Sequence, residues 1–538
     1  MPTAPSPATI VQPAIGEALL NRNRLRILGL TPDEIIKYFF NGNAVVAIVV
    51  LALITIFLFR EGAGFFGQNL GNLRIYRLAG LEYVDFIRRE VDNHTALNRG
   101  LNESRLAQFK KLTASGKSID EANAALAPFD AFATAFGDAV EDVRGLLSDL
   151  TEAAAGIKQK EQINLDRLEQ KAMLLGGGKK EEAEKIVVTP VNFGVETAAL
   201  TGTFGAYLEA NRQFKAKLEA ALASEPQMPD ATLQAQIDKV KVKTRALTET
   251  FPSIEKEMQA WRYDAPIPAY RSLTAFLFGR DWLTASFWQD WYGILPLLVG
   301  SLLVSVIALL IAVPLGISAA IYVSEVATLK EKNCIKPYIE FVSAIPSVVL
   351  GFFGIAVLGT ALRWLSQLTF LSWVPGFPMS ERLNSLTAGC LLAVMAVPTI
   401  FSLSEDALNN VPKHLKEASY ALGANRFQTI VRILVPASLS GIISAILLGF
   451  GRVVGETMVV LLCAGNRIQI PDFTEGLGAF FQPVHTMTGI IAQEMGEVVN
   501  GSIHYRALFM VGIVLFLLSL GINYVAQLLV RRYRISIG

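Results

Sequence analysis

Between Ile294 and Val323 the chain carries no charged side chain, and this run constrains the fold more than any other feature. It is long enough to cross ~30 Å of hydrocarbon as a helix. In lipid a helix is the economical solution, because each backbone N–H and C=O is satisfied inside its own segment. Phe341 to Leu362 is likewise uncharged, and Leu386–Leu403, Ala437–Gly465 and Ala507–Val530 follow, with one Arg and one Glu in Ala437–Gly465. Nearer the N-terminus, Ala44–Phe59 is an uninterrupted apolar run that extends backwards through Tyr38, Phe39 and Phe40. It starts late for a signal peptide and no small-residue cleavage site follows Arg60-Glu61, so a retained anchor is expected. The sequence predicts an all-α polytopic membrane protein with six transmembrane helices.

Charge divides the chain in two. Charged residues make up 18% of the whole, but about 23% of residues 1–290 and about 11% of residues 291–538. The net charge of +1, with no concentrated basic run, excludes a nucleic-acid-binding role. Three cysteines (Cys334, Cys390, Cys463) and four histidines (His94, His414, His485, His504) are scattered, so neither a disulfide framework nor a metal site is expected, and no cofactor is implied.

Basic residues set the orientation, since Lys and Arg are retained on the cytoplasmic side. Arg22, Arg24, Arg26 and Lys37 precede the first span; Lys330, Lys332 and Lys336 follow the second; Lys413, Lys416, Arg426 and Arg432 follow the fourth; Arg531, Arg532 and Arg534 follow the sixth. All four groups fall on one side of a six-span protein. Both termini are then cytoplasmic, and the long segment after the first span lies outside. The expected division is a cytoplasmic arm (1–37), a first transmembrane helix (38–60), an extracytoplasmic helical-bundle insert (61–285) and a transmembrane core (286–538) with a cytoplasmic loop at 405–436.

The insert has apolar residues at three and four spacing, as in Leu146, Leu147, Leu150, Ile157, Ile163, Leu168 and Leu175, and again in Phe214, Leu218, Ala221 and Leu222. That is the pattern of amphipathic helices. Gly176-Gly177-Gly178 and the Pro226–Pro229 stretch break it, so long antiparallel helices joined by turns are predicted, with Val187–Phe193 as a short extended stretch. Two phosphate-binding lookalikes lie here. Gly62-Ala63-Gly64-Phe65-Phe66-Gly67 matches a dinucleotide fingerprint but follows a membrane helix, and Gly116-Lys117-Ser118 has Lys111 where a P-loop needs glycine. Neither has the strand-turn-helix setting that cradles phosphate. The chain is not expected to bind ATP itself.

The most specific pattern lies in the 405–436 loop: Glu417-Ala418-Ser419, then Gly423, then Ile433, Val435 and Pro436. It resembles the EAA loop of ABC importer permeases, with Ser419 and Val435 departing from the usual Ala and Leu. The resemblance implies a short helix on the cytoplasmic face that seats in a partner ATPase. Small residues at Ala418, Ser419 and Ala421 suit close docking, and Gly423 allows the chain to turn.

Downstream, Gly451-Arg452-Val453-Val454-Gly455-Glu456-Thr457 places a charge inside a span. Sixteen residues beyond Pro436, Arg452 lies ~24 Å along a helix. A charge at that depth costs ~2.5–3.5 kcal/mol on the insertion scale and normally faces a cavity and a partner. Glu456, four residues on, is the expected partner on the same helix face. One reading is a structural ion pair locking spans together. The other is an anion pathway, in which Arg452 meets an oxyanion through its planar fork and Glu456 holds the guanidinium when the pathway is empty.

Gly451–Asn466, Ala344–Gly354, Thr488–Glu497 and His504–Phe509 together resemble the phosphate-importer permease subunits (PstC), over essentially residues 270–538. The resemblance implies an ABC type I importer permease fold in a bacterial inner membrane. It also implies a second permease subunit (PstA-like), an ATP-binding subunit dimer (PstB-like) and an extracytoplasmic phosphate-binding protein. The 61–285 insert departs from the family, which has only a short connection there. It is expected to dock the binding protein, contact the cell-wall layer or join the partner permease's exterior domain. Two other readings are a permease for sulfate or molybdate, and a sensory or scaffold protein using the exterior domain. The last is disfavoured because only about eight residues follow Val530.

Overall fold

The computed structural model describes residues 32–533, apart from Pro229, Ala285, Phe287, Ser372 and Pro375. Arg22, Arg24 and Arg26 of the arm and Arg534 of the tail lie outside the described residues.

Helix α1 (Pro32–Leu78) is continuous over 47 residues. It does not end at Arg60-Glu61, where the apolar run stops, because a change of solvent from lipid to water breaks no backbone hydrogen bond. Two of the glycines that follow, Gly62 and Gly64, have a packing role. A Cβ on Gly62 would lie 2.6 Å from Ile513 Cδ1, and one on Gly64 would lie 1.4 Å from Arg506 Nη1. The dinucleotide lookalike is thus a seam where α1 meets the last helix, and the close approach offsets the ~1 kcal/mol that glycine costs inside a helix.

The insert is built from α2 (Leu81–Ala114), α3 (Ile119–Asp138), α4 (Glu141–Gly176), α5 (Lys180–Glu184), α6 (Phe193–Thr201), α7 (Phe204–Ala223) and α8 (Ala231–Ala260). Its helices bury a core of their own, including Tyr83, Ile87, Phe129, Phe136, Tyr207, Phe214, Leu218 and Ile237. Burial of this apolar area is what makes the segment a folded unit. The turns fall where glycine and proline predict them: α4 ends before Gly177, Gly178 takes a φ of 77°, and α7 ends before Pro226. Residues 186–192 are neither helix nor strand. The P-loop lookalike is a turn at which Gly116 takes a φ of 91° and Ser118 forms a capping box with Glu121, starting α3.

The chain returns through α9 (Tyr270–Phe278) and a two-residue antiparallel ribbon, β1 (Trp282–Leu283) with β2 (Trp291–Tyr292), which with a single parallel bridge between Gly465 and Val484 is the β structure among the described residues. This return is fastened to α1. Asn69 Nδ2 donates to Ser272 Oγ at 3.1 Å, Ser272 Oγ donates to Phe66 O at 2.9 Å, and Phe65, Phe276, Trp282 and Tyr292 bury one another.

The remaining elements are α10 (Leu295–Ile321) with a π-helical turn (Tyr322–Val326), α11 (Leu329–Ser343), and α12 (Ser347–Phe353) joined by a second π turn (Gly354–Leu358) to α13 (Gly359–Ser366). Then follow α14 (Ser385–Asn409), α15 (Lys413–Ala421), α16 (Arg426–Thr429) with a third π turn (Ile430–Leu434), α17 (Val435–Val454), α18 (Met458–Cys463), α19 (Met487–Glu494) and α20 (Ile503–Tyr533).

Among the described residues, six helical stretches are long and apolar enough to cross a membrane. Besides the first, which continues past Arg60-Glu61, two differ from the sequence expectation. The third span is Ser347–Ser366 and does not begin at Phe341, because Pro346 disfavours helix at the residue before it and separates α11 from α12. The fifth ends at Val454 and does not run to Gly465: Gly455 closes the helix, and α18 starts afresh at Met458. Helices α10 and α14 are in closest contact. A Cβ on Gly389 would lie 2.5 Å from Ile307 Cγ2, and one on Gly316 would lie 2.9 Å from Ile400 Cγ2.

Candidate functional sites at the coupling loop and the broken fifth span

The 405–436 loop forms two short helices across one end of the core. On α15 one face is exposed, with Glu417, Ala418 and Ala421 on it, and Leu422 follows at 89% exposure. Phe427 on α16 is exposed as well. The other face holds the helix to the core. Ser419 is buried, and its Oγ lies 2.9 Å from Thr429 Oγ1. The departure from alanine therefore supplies a hydrogen bond between α15 and α16. Gly423 closes α15 with a φ of 82°, its N–H donating to Tyr420 O while Ala424 N–H donates to Ser419 O. That left-handed closure is what glycine permits at low cost. Asn425 then starts α16 in a capping box with Gln428. Pro436 sits in the first turn of α17, where its missing N–H costs nothing.

Lys416 also lies on the inward face, and its Nζ is 2.5 Å from Glu325 Oε2 in the π turn after α10. Nearby, Lys336 of α11 pairs with Glu405 of α14 at 2.9 Å, and this pairing raises the lysine above its ordinary value. Both carboxylate side chains are only 5% exposed. Sequence reasoning counted the two lysines only as orientation signals and missed both pairings. The signal was present in Glu325 and Glu405, acids at the ends of otherwise apolar spans, but their lysine partners are distant in sequence.

The second site is the break in the fifth span. Arg452 lies in the last turn of α17, and its Nη1 donates to Thr399 Oγ1 of α14 at 3.1 Å. The expected Arg452–Glu456 pairing is not formed. Gly455 ends the helix, so Glu456 does not stand one turn above Arg452. Its Oε1 instead accepts from Met458 N–H at 3.1 Å, capping α18. Thr457 is the residue before α18, and both Gly455 and Arg452 are exposed. The break is tied from a third direction: Thr488 Oγ1 donates to Glu456 O at 2.8 Å. The sequence reading names Arg452, Gly455, Glu456 and Thr457 for this site but not Thr399 and Thr488, which contact Arg452 and Glu456. Chemically the site offers a guanidinium held by a neutral hydroxyl, leaving its other N–H donors free for an oxyanion.

The Thr488 segment connects onward. His485 is buried, its Nε2 lies 3.0 Å from Gln493 Oε1, and burial lowers its imidazole below the ordinary value. Glu494 Oε2 is 2.8 Å from His504 Nε2 and accepts from Trp282 Nε1 at 3.1 Å. The ribbon that closes the insert is thereby bonded to the segment that holds the break.

The model of the family described as binding-protein-dependent transport system inner membrane component matches residues 312–535, so the insert lies outside it. A probable ABC transporter permease protein, YqgH, of Bacillus subtilis is 39% identical over 229 residues, covering 42% of this chain and 68% of that protein. The phosphate transport system permease protein PstC of Pasteurella multocida is 30% identical over 266 residues, 48% of this chain and 80% of that one. Its namesake from Mesorhizobium japonicum is 32% identical over 266 residues, 47% and 79% respectively. Such permeases are membrane subunits and not enzymes, working with a separate ATP-binding subunit and a substrate-binding protein. The six apolar spans and these relatives lead to one conclusion: the chain is a PstC-like member of the inner-membrane permease family of binding-protein-dependent ABC importers.

Proposed function

We propose that this chain is one permease half of an ATP-driven importer of inorganic phosphate. The observation that carries the proposal is Arg452, presented at a helix break within the fifth span and oriented by Thr399. A guanidinium in a low-dielectric pathway attracts a tetrahedral oxyanion and pairs with it in bidentate fashion. Thr399 holds the side chain in the role first assigned to Glu456. Glu456, Gly455 and Thr457 then act as the hinge that keeps α17 and α18 apart and opens the guanidinium to the pathway.

In this reading the exposed face of α15, with Glu417, Ala418 and Ala421, docks a PstB-like ATP-binding dimer, while Ser419, Gly423 and Pro436 hold the loop in shape. A PstA-like second permease completes the pathway, and an extracytoplasmic phosphate-binding protein delivers the ion. The positive-inside distribution supports cytoplasmic termini and an exterior insert at 61–285. Resemblance to PstC proteins favours phosphate over sulfate or molybdate.

The test is Arg452→Gln in proteoliposomes containing all subunits. Phosphate transport should fall at least about thirtyfold, the loss expected when one partner of a hydrogen-bonded charge pair is removed at ~2 kcal/mol or more. Transport at the unmodified rate would exclude Arg452 from the pathway.

A further inference from the structure

The inward face of the coupling helix carries a connection that the docking role does not require. Lys416 reaches from α15 to Glu325, which lies in the π turn ending α10. From there polar contacts continue without interruption. Ser324 Oγ, in the same turn, donates to Asn409 Oδ1 at 3.0 Å, and Asn409 Nδ2 donates to Glu405 Oε1 at 3.4 Å. Glu405 is paired with Lys336, and Lys332 Nζ of the same α11 donates back to Ser324 O at 3.3 Å. The ends of α10, α11 and α14 are joined in this way, and among the described residues α15 enters the network through Lys416.

Three physical points give the network a mechanical meaning. Buried carboxylates are costly to separate from their lysines, so the contact resists being pulled apart. A π turn is a local widening that lets a helix end shift in register, and two bear on the coupling helix: Tyr322–Val326, which holds Glu325 against Lys416, and Ile430–Leu434, which follows α16 within the loop. The α10–α14 seam is locked by Gly316 and Gly389, so the pair moves as a unit. Helix α14 also carries Thr399, six residues or ~9 Å from Glu405 along the axis, and Thr399 holds Arg452.

We propose that the Glu325–Lys416 ion pair is the strut through which the coupling helix drives α10 and α14, and through them the position of Arg452. Glu325 is a positioning residue: it touches neither nucleotide nor transported ion. The proposal rests on the importer reading above and adds the element that converts ATPase movement into movement of the pathway.

The experiment uses the complete complex in proteoliposomes, with inorganic phosphate, and reads phosphate moved per ATP hydrolysed. The decisive variant is the double substitution E325Q/K416M, which removes both charges at similar volume and leaves no buried charge unpaired. Phosphate moved per ATP should fall about tenfold, the scale of ordinary coupling between sites, while hydrolysis continues and the subunits still copurify. The exchanged pair E325K/K416E should recover part of the loss, which a packing defect would not.

A second readout is independent of the ion. In a background with Cys334, Cys390 and Cys463 replaced by serine, T399C should change its reactivity to a water-soluble thiol reagent when ATP is added, and E325Q/K416M should abolish that change. An unaltered transport ratio or an unaltered ATP response in the double variant overturns the strut. If the complex without substitutions moves no phosphate while its T399C form, with Glu325 and Lys416 intact, shows the ATP response, the proposed ion is refuted and the strut stands.

Discussion

Replacing Gly300 by alanine introduces a single methyl group where α10 crosses the segment leading to α19. That Cβ would lie 2.1 Å from the carbonyl oxygen of His485, 3.1 Å from its carbon and 3.3 Å from Val484 Cβ. The obstacle is backbone, so no side-chain rotation relieves it, and the segment has to retreat by about 1 Å to restore ordinary contact. Its neighbour pays as well: Met487 N–H donates to Ser301 Oγ at 2.9 Å and is buried, so the retreat stretches that bond. Overpacking costs about 1–3 kcal/mol, and a weakened buried hydrogen bond adds about 1 kcal/mol. Against this, alanine is better than glycine in a helix by about 0.5–1 kcal/mol. The net is a loss of about 1–3 kcal/mol, concentrated where Thr488 holds Glu456. Thermal unfolding in nanodiscs, followed beside phosphate transport, reads both consequences. Gly67→Ala in α1 is the control, since its Cβ meets nothing within 4 Å. Gly300→Ala should unfold at lower temperature than that control and transport more slowly. Equal stability and equal transport in the two variants would refute the packing argument.

Two further outcomes follow. Thr399→Val keeps the shape of the side chain but removes the acceptor of Arg452 Nη1; transport should fall about tenfold, as for a hydrogen bond to a charged group worth ~1.5 kcal/mol, and a wild-type rate would remove Thr399 from the site. In the insert, Glu90 is fully buried, accepts from Tyr207 Oη at 2.8 Å, and is pushed by burial from 4.5 up to about 8. Its carboxyl therefore binds a proton in the fold that the unfolded chain has released, and the stability this contributes is complete below pH 4.5 and is lost as pH rises to 8. His94, lowered by burial to about 4, has the opposite slope between 4 and 6.5, and Asp85, raised to about 6, titrates below that value, so pH 6.5–8 isolates Glu90. Hydrogen exchange of the insert in the intact protein should show protection falling across that window, and Glu90→Gln should flatten the dependence; an unchanged slope in the variant would assign it to another group.

The spans were legible in the sequence because lipid imposes a composition on them, and a run such as Ile294–Val323 admits no other reading. Helices in the insert were legible for a related reason: the spacing of Phe214, Leu218 and Ala221 is that of one buried helix face, and all three are buried. What was not legible is where a helix continues or stops without a change of hydropathy. Arg60-Glu61 looks like an end, yet α1 passes through it, because polar residues do not interrupt backbone hydrogen bonding. Gly455-Glu456-Thr457 looks like a continuation, yet the backbone turns there, and with it the expected Arg452–Glu456 pair is replaced by contacts to Thr399 and Met458. The 405–436 loop was visible as a motif, whereas the reason for Ser419 and the partner of Lys416 appear only once Thr429 and Glu325 are brought beside them.

The most direct test of the central claim is ATP-driven uptake of radiolabelled phosphate by proteoliposomes holding this chain, its second permease, the ATP-binding dimer and the binding protein, with sulfate and molybdate as competitors. Saturable phosphate accumulation that requires ATP and is not displaced by excess sulfate or molybdate is the predicted result. ATP-dependent accumulation of sulfate or molybdate in preference to phosphate, or no accumulation of phosphate by the fully assembled complex, would contradict it.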